Sequence, residues 1–218
     1  MADFAAAYLR PAYEAHNNGQ RLERSSDDAF ESIFRGFTEI SYTIDNLRLA
    51  GHLVSTSPPR SKNISKNQYI NFVIGAYLQE MYILQQRLDA YGKKVSRLYG
   101  FRDLPKLVND LVYKPLENII NIRGNHVHRE RYSDAELRRI SDLDLFLRVG
   151  HEAGEDFHFE YKLAQHSWKM RIRANNLAVS RIVDSYFDIL QTLICEEGKV
   201  RFPVAAQTKA SNSAGWLG

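Results

Sequence analysis

Ten consecutive residues, IRGNHVHRER (122 to 131), bring together His126 and His128, Asn125, and the arginines Arg123, Arg129 and Arg131. Imidazole titrates near neutral pH, so either histidine can take up or give up a proton. Guanidinium keeps its charge, forks onto phosphate oxygens and stabilises negative charge as it builds there. The segment therefore has the groups for acid–base chemistry at a phosphate. Two plainer readings stand beside that one. Charge runs are usually solvated connectors, and His126-x-His128 is a metal pair only if a third ligand joins it, for which Glu130 and Asp134 are the nearby carboxylates.

The elements that must position this segment read as helices. Phe30, Ile33, Phe37, Ile40, Ile44 and Leu47 recur at steps of three and four, which predicts a helix from about 27 to 49 with Ser26 or Asp27 as its cap. STSPPRSKN (55 to 63) breaks the period and reads as a loop. From 66 to 99 the seam Ile70, Ile74, Tyr77, Met81, Leu84, Leu88, Tyr91, Val95 and Leu98 has the heptad spacing of antiparallel bundles, widened by Phe72, Val73, Leu78 and Ile83. Asp103 and Pro105 suit a helix start, with Leu104, Leu107, Val108 and Leu111 as its apolar face and Pro115 as its interruption.

The segment from Pro115 is expected to restart as a short helix that ends at Gly124, which places Arg123 at a helix C-terminus beside a bend. In an unbroken helix five positions separate Arg123 and His128 by about 140°, so such a bend helps them converge; His126 shares a face with Arg123 more directly. SDAE (133 to 136) has the spacing of a capping box before a helix of about 134 to 148. Phe157, Tyr161, Ala164, Trp168, Ile172, Asn175, Val179, Ile182, Tyr186, Ile189 and Leu193 then step at about 3.6. The expected architecture is all-α: a single-domain antiparallel helical bundle over 26 to 197, an N-terminal arm over 1 to 25 and a flexible tail over 198 to 218.

Composition narrows the function classes. With 44% hydrophobic and 25% charged residues the chain reads as globular, and a net charge of +3 gives no global pull toward nucleic acid or membrane, so anion binding has to be local. Cys195 is the sole cysteine, which rules out an intrachain disulfide and thiolate metal frameworks. No apolar run approaches the ~20 residues of a membrane span, so a cytoplasmic location without membrane contact is expected. There is no Gly-rich phosphate loop, no G-x-S-x-G elbow, no His-Glu-x-x-His helix and no EF-hand loop. His52, His151, His158 and His166 read as surface residues and Cys195 as packed, while Lys169, Arg171 and Arg173 form either a solvated face or the flank of an RNA groove.

A helical bundle in which a helix ends in Arg, with a polar residue after it and a His four to six residues beyond, resembles the HEPN superfamily. The residues that carry the resemblance are Arg123 and His128, with Gly124 where the family commonly has a polar residue and Asn125 one position later. Arg10 and His16 repeat the spacing but lie in the expected arm. The resemblance implies a metal-independent endoribonuclease that needs no cofactor, with Arg123 and His128 catalytic and Asn125 and His126 in support. Arg129 and Arg131 would then bind the substrate RNA. It further implies a homodimer that juxtaposes two motifs, and a toxin–antitoxin or phage-defence setting with a partner protein. The other reading it allows is a non-catalytic dimeric module that binds RNA, nucleotide or a protein.

Overall fold

The computed structural model of the chain describes residues 1–19, 28–60, 63–117 and 132–201. They form an all-α, single-domain fold: α1 (Ala2–Asn17), α2 (Asp28–Ser55), α3 (Lys66–Tyr99), α4 (Leu104–Val108), α5 (Ala135–Arg148) and α6 (Gly154–Ile194), with one short hairpin of β1 (Cys195–Glu196) and β2 (Lys199–Val200). No helix among the described residues is long and apolar enough to cross a membrane.

Helix α3 spans the range its seam predicts. Ser65 caps it and accepts from the Gln68 amide, and the Gln68 side chain accepts in return from the Ser65 amide. The sequence carries this reciprocal box as Ser-x-x-Gln. Ile70, Ile74, Tyr77, Met81, Leu84, Leu88, Tyr91 and Val95 are all buried, and Leu98 packs against them. Phe72 departs from expectation: it is 70% exposed, because two positions from Ile70 a helix has turned about 200° and the residue faces outward.

The other long helices are arranged around that seam. Arg87 of α3 donates to Thr43 Oγ1 of α2, to the Glu39 carbonyl at 2.8 Å and pairs with the Glu39 carboxylate, while Tyr69 donates to the Leu53 carbonyl at 2.9 Å. Later residues of α3 thus meet earlier ones of α2, so the two are antiparallel. Tyr77 donates to Asn176 at 3.3 Å and Tyr186 donates to the Leu88 carbonyl at 3.0 Å, which makes α6 run parallel to α3. Helix α5 lies antiparallel on α6: Asp134, its cap, pairs with Arg171 at 2.8 Å, and Arg139, further along, pairs with the earlier Glu160 at 3.1 Å. On α6, Phe157 and Tyr161 are buried and Phe159 between them is exposed.

Helix α2 runs past the predicted end at 49 because Ala50 and Val54 continue its buried stripe. Within it, Gly36 is required by the close approach of α3: a Cβ there would overlap the Tyr91 ring. The segment expected to be an arm holds α1 instead, whose Phe4 is fully buried and whose ring lies 5.7 Å from Phe37 and 5.1 Å from Phe187. Phe4 docks α1 between α2 and α6, and Ala7 is buried beside it. At the other terminus, Cys195 pairs with Val200 and Glu196 with Lys199. The turn residues Glu197 and Gly198 both have positive φ, 51° and 73°, the geometry that matches the twist of a two-residue hairpin. The chain through Val200, which is buried, is therefore structured where a tail was expected from 198; residues 202–218 lie outside the described residues.

The stretch before the polar segment is wound differently from expectation. Leu104, Val108, Val112 and Leu116 are buried, whereas Leu107 is exposed. Steps of four drift about 40° per step on a regular helix. The π-helical turn Asn109–Tyr113 widens the winding and keeps these four residues on one face. It also admits Pro115 without a break: 114–117 remain helical, and the carbonyl four residues before the proline, that of Leu111, lies inside the widened turn.

Gly36→Ala is expected to destabilise by about 1–3 kcal/mol in urea unfolding, since overpacking against Tyr91 outweighs the roughly 1 kcal/mol that alanine otherwise gains in a helix; a stabilised variant would mean the ring moves aside freely. A second expectation concerns alkaline pH. Burial pushes the phenols of Tyr99 and Tyr161 up to about 12, and among the described residues neither buried hydroxyl has a hydrogen-bond partner. In the unfolded chain they ionise near ~10. Stability is therefore whole below that range and is lost as pH climbs from it through about 12, which urea melts at stepped alkaline pH will register as a falling midpoint.

Candidate functional site

Arg123, Asn125, His126, His128, Arg129 and Arg131 lie outside the described residues, as does Gly124. The structure places the chain that leads into and out of 118–131. On the entry side, Leu116 is buried and Lys114 pairs with Asp110 at 3.0 Å across one turn. Val108 packs into the space left by Gly92 on α3, where a Cβ would stand 3.0 Å from its Cγ2 and 3.4 Å from the Tyr186 hydroxyl.

The exit side is more elaborate. Asp134, not Ser133, is the cap of α5: its backbone is extended, and Oδ1 accepts from the Leu137 amide at 2.9 Å. The expected Ser133–Glu136 box gives way because a carboxylate one residue later is the better partner for the positive end of a helix. It also has three further donors, one of them the Tyr132 hydroxyl on Oδ2 at 3.5 Å. Oδ2 accepts from Trp168 Nε1 at 3.1 Å and from Arg171 Nη1 at 2.8 Å, both on α6. Arg171 reaches Glu136 Oε1 with its other amine at 3.3 Å, and its guanidinium lies 5.1 Å from the centre of the Trp168 ring. Tyr132 closes the group with its ring edge-on to Trp168 at 5.7 Å. Burial first, and then the Asp134 carboxylate, push the Tyr132 phenol above its ordinary range.

This changes the reading of the basic stretch on α6. Lys169 and Arg173 are exposed, but Arg171 is committed to two carboxylates and is no free cation for a phosphate. Sequence separation hid the pairing: Asp134 and Arg171 are 37 positions apart. His52, His151, His158 and His166 are exposed. Among the described residues no three His, Cys, Asp or Glu side chains come together as a metal site. Arg10, in the second Arg-to-His spacing, pairs with Glu14 at 3.5 Å, and Lys199 binds the same carboxylate at 2.8 Å. That lysine's hydrogen bond is the chief reason the Glu14 carboxyl is held below its usual range. The cluster fastens the hairpin to α1. Cys195 is half-buried, and burial pushes its thiol up, away from the reactive thiolate.

No family model, no curated protein and no solved structure matches this chain. The cap and the clamp on Asp134 are separable by mutation. Asn caps a helix about as well as Asp, so Asp134→Asn loses only the charge-assisted bonds to Arg171 and Trp168, whereas Asp134→Ala loses the cap too. Alanine is expected to cost about 1 kcal/mol more than asparagine in urea unfolding; equal midpoints would show that the Leu137 bond contributes nothing.

Proposed function

We propose that the chain is a metal-independent endoribonuclease of the HEPN type, acting in the cytoplasm. Arg123 and His128 form the catalytic pair, Asn125 and His126 support them, and Arg129 and Arg131 hold the RNA backbone. The observation that carries this reading is the setting of the polar segment. It is the connection between two elements of an all-α bundle, entered from a buried leucine at 116 and left through a multiply bonded aspartate at 134.

The chemistry needs no metal. An imidazole takes the proton of a ribose 2′-hydroxyl, and the oxygen attacks the adjacent phosphorus. The bond to the 5′-oxygen breaks as that oxygen receives a proton, leaving a cyclic phosphate and a 5′-hydroxyl. The guanidinium stabilises the extra negative charge on the pentavalent transition state. A homodimer with two such segments at one bond would supply separate acid and base groups. A toxin or defence effector restrained by a partner protein is the cellular setting this reading suits.

A second reading has its own observation. Phe146, Val149, Phe159 and Leu163, on or beside α5 and the start of α6, are large apolar residues left about half or more exposed, which favours a non-catalytic interaction module. The two are told apart by incubating the protein with RNA in EDTA. The nuclease reading expects cleavage that falls at least ~100-fold in Arg123→Ala and in His128→Ala, the size of an acid–base contribution. Intact RNA, with a stable complex or dimer in light scattering, would sink it in favour of the module.

A further inference from the structure

We infer that the outward face of α6 is the seam of a homodimer, in which α6 packs antiparallel against α6 of a second copy of the chain. The face is built from α6 residues alone and is the same under either reading of the function.

Helix α6 is apolar on two sides. Phe157, Tyr161, Ala164, Trp168, Ile172 and Val179 are buried on the side that meets the bundle. On the opposite side stand Phe159, Leu163, Met170 and Leu177, which are 66%, 48%, 49% and 57% exposed. At about 100° per residue these four fall within about 40° of one another and roughly 180° from the buried row, along ~27 Å of helix. Their spacing is that of a heptad seam, with His166 and Arg173 at the positions between. A surface helix ordinarily turns a polar face to water, and apolar residues scattered singly over a surface need no explanation. Four in line on one helix form a row that a second helix can cover. Phe146 of α5 extends the apolar surface, lining one shallow depression with Phe159.

Charge selects the partner. The exposed side of α6 is acidic where the helix begins, at Glu155 and Asp156, and basic further along, at Lys169 and Arg173. Their neighbours Glu160 and Arg171 are already paired within the chain, the first to Arg139 and the second to Asp134 and Glu136. A parallel copy would set acid against acid and base against base. An antiparallel copy sets Glu155 and Asp156 against Arg173 of the second chain, and the twofold axis repeats that pairing at the other end. In this register Phe159 meets Met170 and Leu163 meets His166, each of them twice. Leu177 comes level with the α5–α6 connector of the second copy, where Val149 is exposed. One face thus carries both halves of a complementary pattern, which is the requirement of an interface between identical chains.

Sedimentation equilibrium of the full-length chain tests the pairing. Wild type is expected to be dimeric at micromolar concentration, and Leu163→Glu/Met170→Glu monomeric with its helical circular dichroism unchanged. Arg173→Glu, and separately Glu155→Lys/Asp156→Lys, should each weaken self-association at least ~10-fold, more so at low salt, because each sets like charges together at both ends of the seam. Mixing those two variants should restore the wild-type affinity, since in the mixed dimer every acid again faces a base. Glu155 and Arg173 stand ~27 Å apart on one helix, too far for the repair to occur within a chain. A monomeric wild type would overturn the inference and leave the row to a helix of another protein. A dimer that survives Leu163→Glu/Met170→Glu would overturn it too, and one that ignores the charge reversals and their mixing would overturn the antiparallel pairing. RNA cleavage in EDTA stands or falls separately.

Discussion

Burial of the α3 seam is the constraint on which the rest of the structure depends. Its apolar residues run almost the length of the helix, and α2, α4, α5 and α6 each meet α3. Hydrophobic burial alone is non-directional and would tolerate sliding of one helix along another. Directional groups at the edge of the seam remove that freedom. Arg87 fixes α2 through Glu39 and Thr43, Tyr77 and the Leu88 carbonyl fix α6, and Asn67 reaches Ser141 and Asp144 on α5. Asp144 is buried yet partnered, by Asn67 at 3.5 Å and Arg148 at 2.8 Å, so it specifies a register without being left as an uncompensated charge.

The Asp134 cluster obeys the same logic on a smaller scale. Among the described residues, Glu136 Oε2 is buried without a hydrogen-bond partner. The cluster is built from groups whose geometry is strict: a carboxylate, an indole N–H and a guanidinium. An apolar contact between the start of α5 and the middle of α6 would bury surface as well, but it would leave the direction of the incoming chain less defined.

Elements whose signal is periodic were legible in the sequence, and the limits of α3 are the clearest case. Helix α6 was legible for the same reason, its stripe being kept over many turns by a spacing near 3.6. The expectations that failed did so because a partner decided the outcome. Phe72 counted as seam on hydrophobicity, but only the angle from Ile70 says that it faces outward. Helix α1 has no long stripe, and its place depends on Phe4 finding Phe37 and Phe187. The hairpin needs only two residues per strand, too few for any period to register. Pro115 read as a breaker under the rule for regular helices, which the preceding π-turn suspends.

The candidate site divides along the same line. Its chemical groups sit within ten positions and can be named from the sequence, whereas the groups that bear on the chain beside them come from α6, 34 and 37 positions beyond Asp134. Arg171 belongs to both halves of that division. Taken with its neighbours in the chain it is one cation in a basic stretch, and it adds to the charge that would draw a polyanion. Paired with Asp134 and Glu136 it is neutralised, and that charge is withdrawn. The phosphate-binding charge of the proposed site then has to come from Arg123, Arg129 and Arg131 themselves, with Lys169 and Arg173 as the exposed cations of the adjacent stretch of α6.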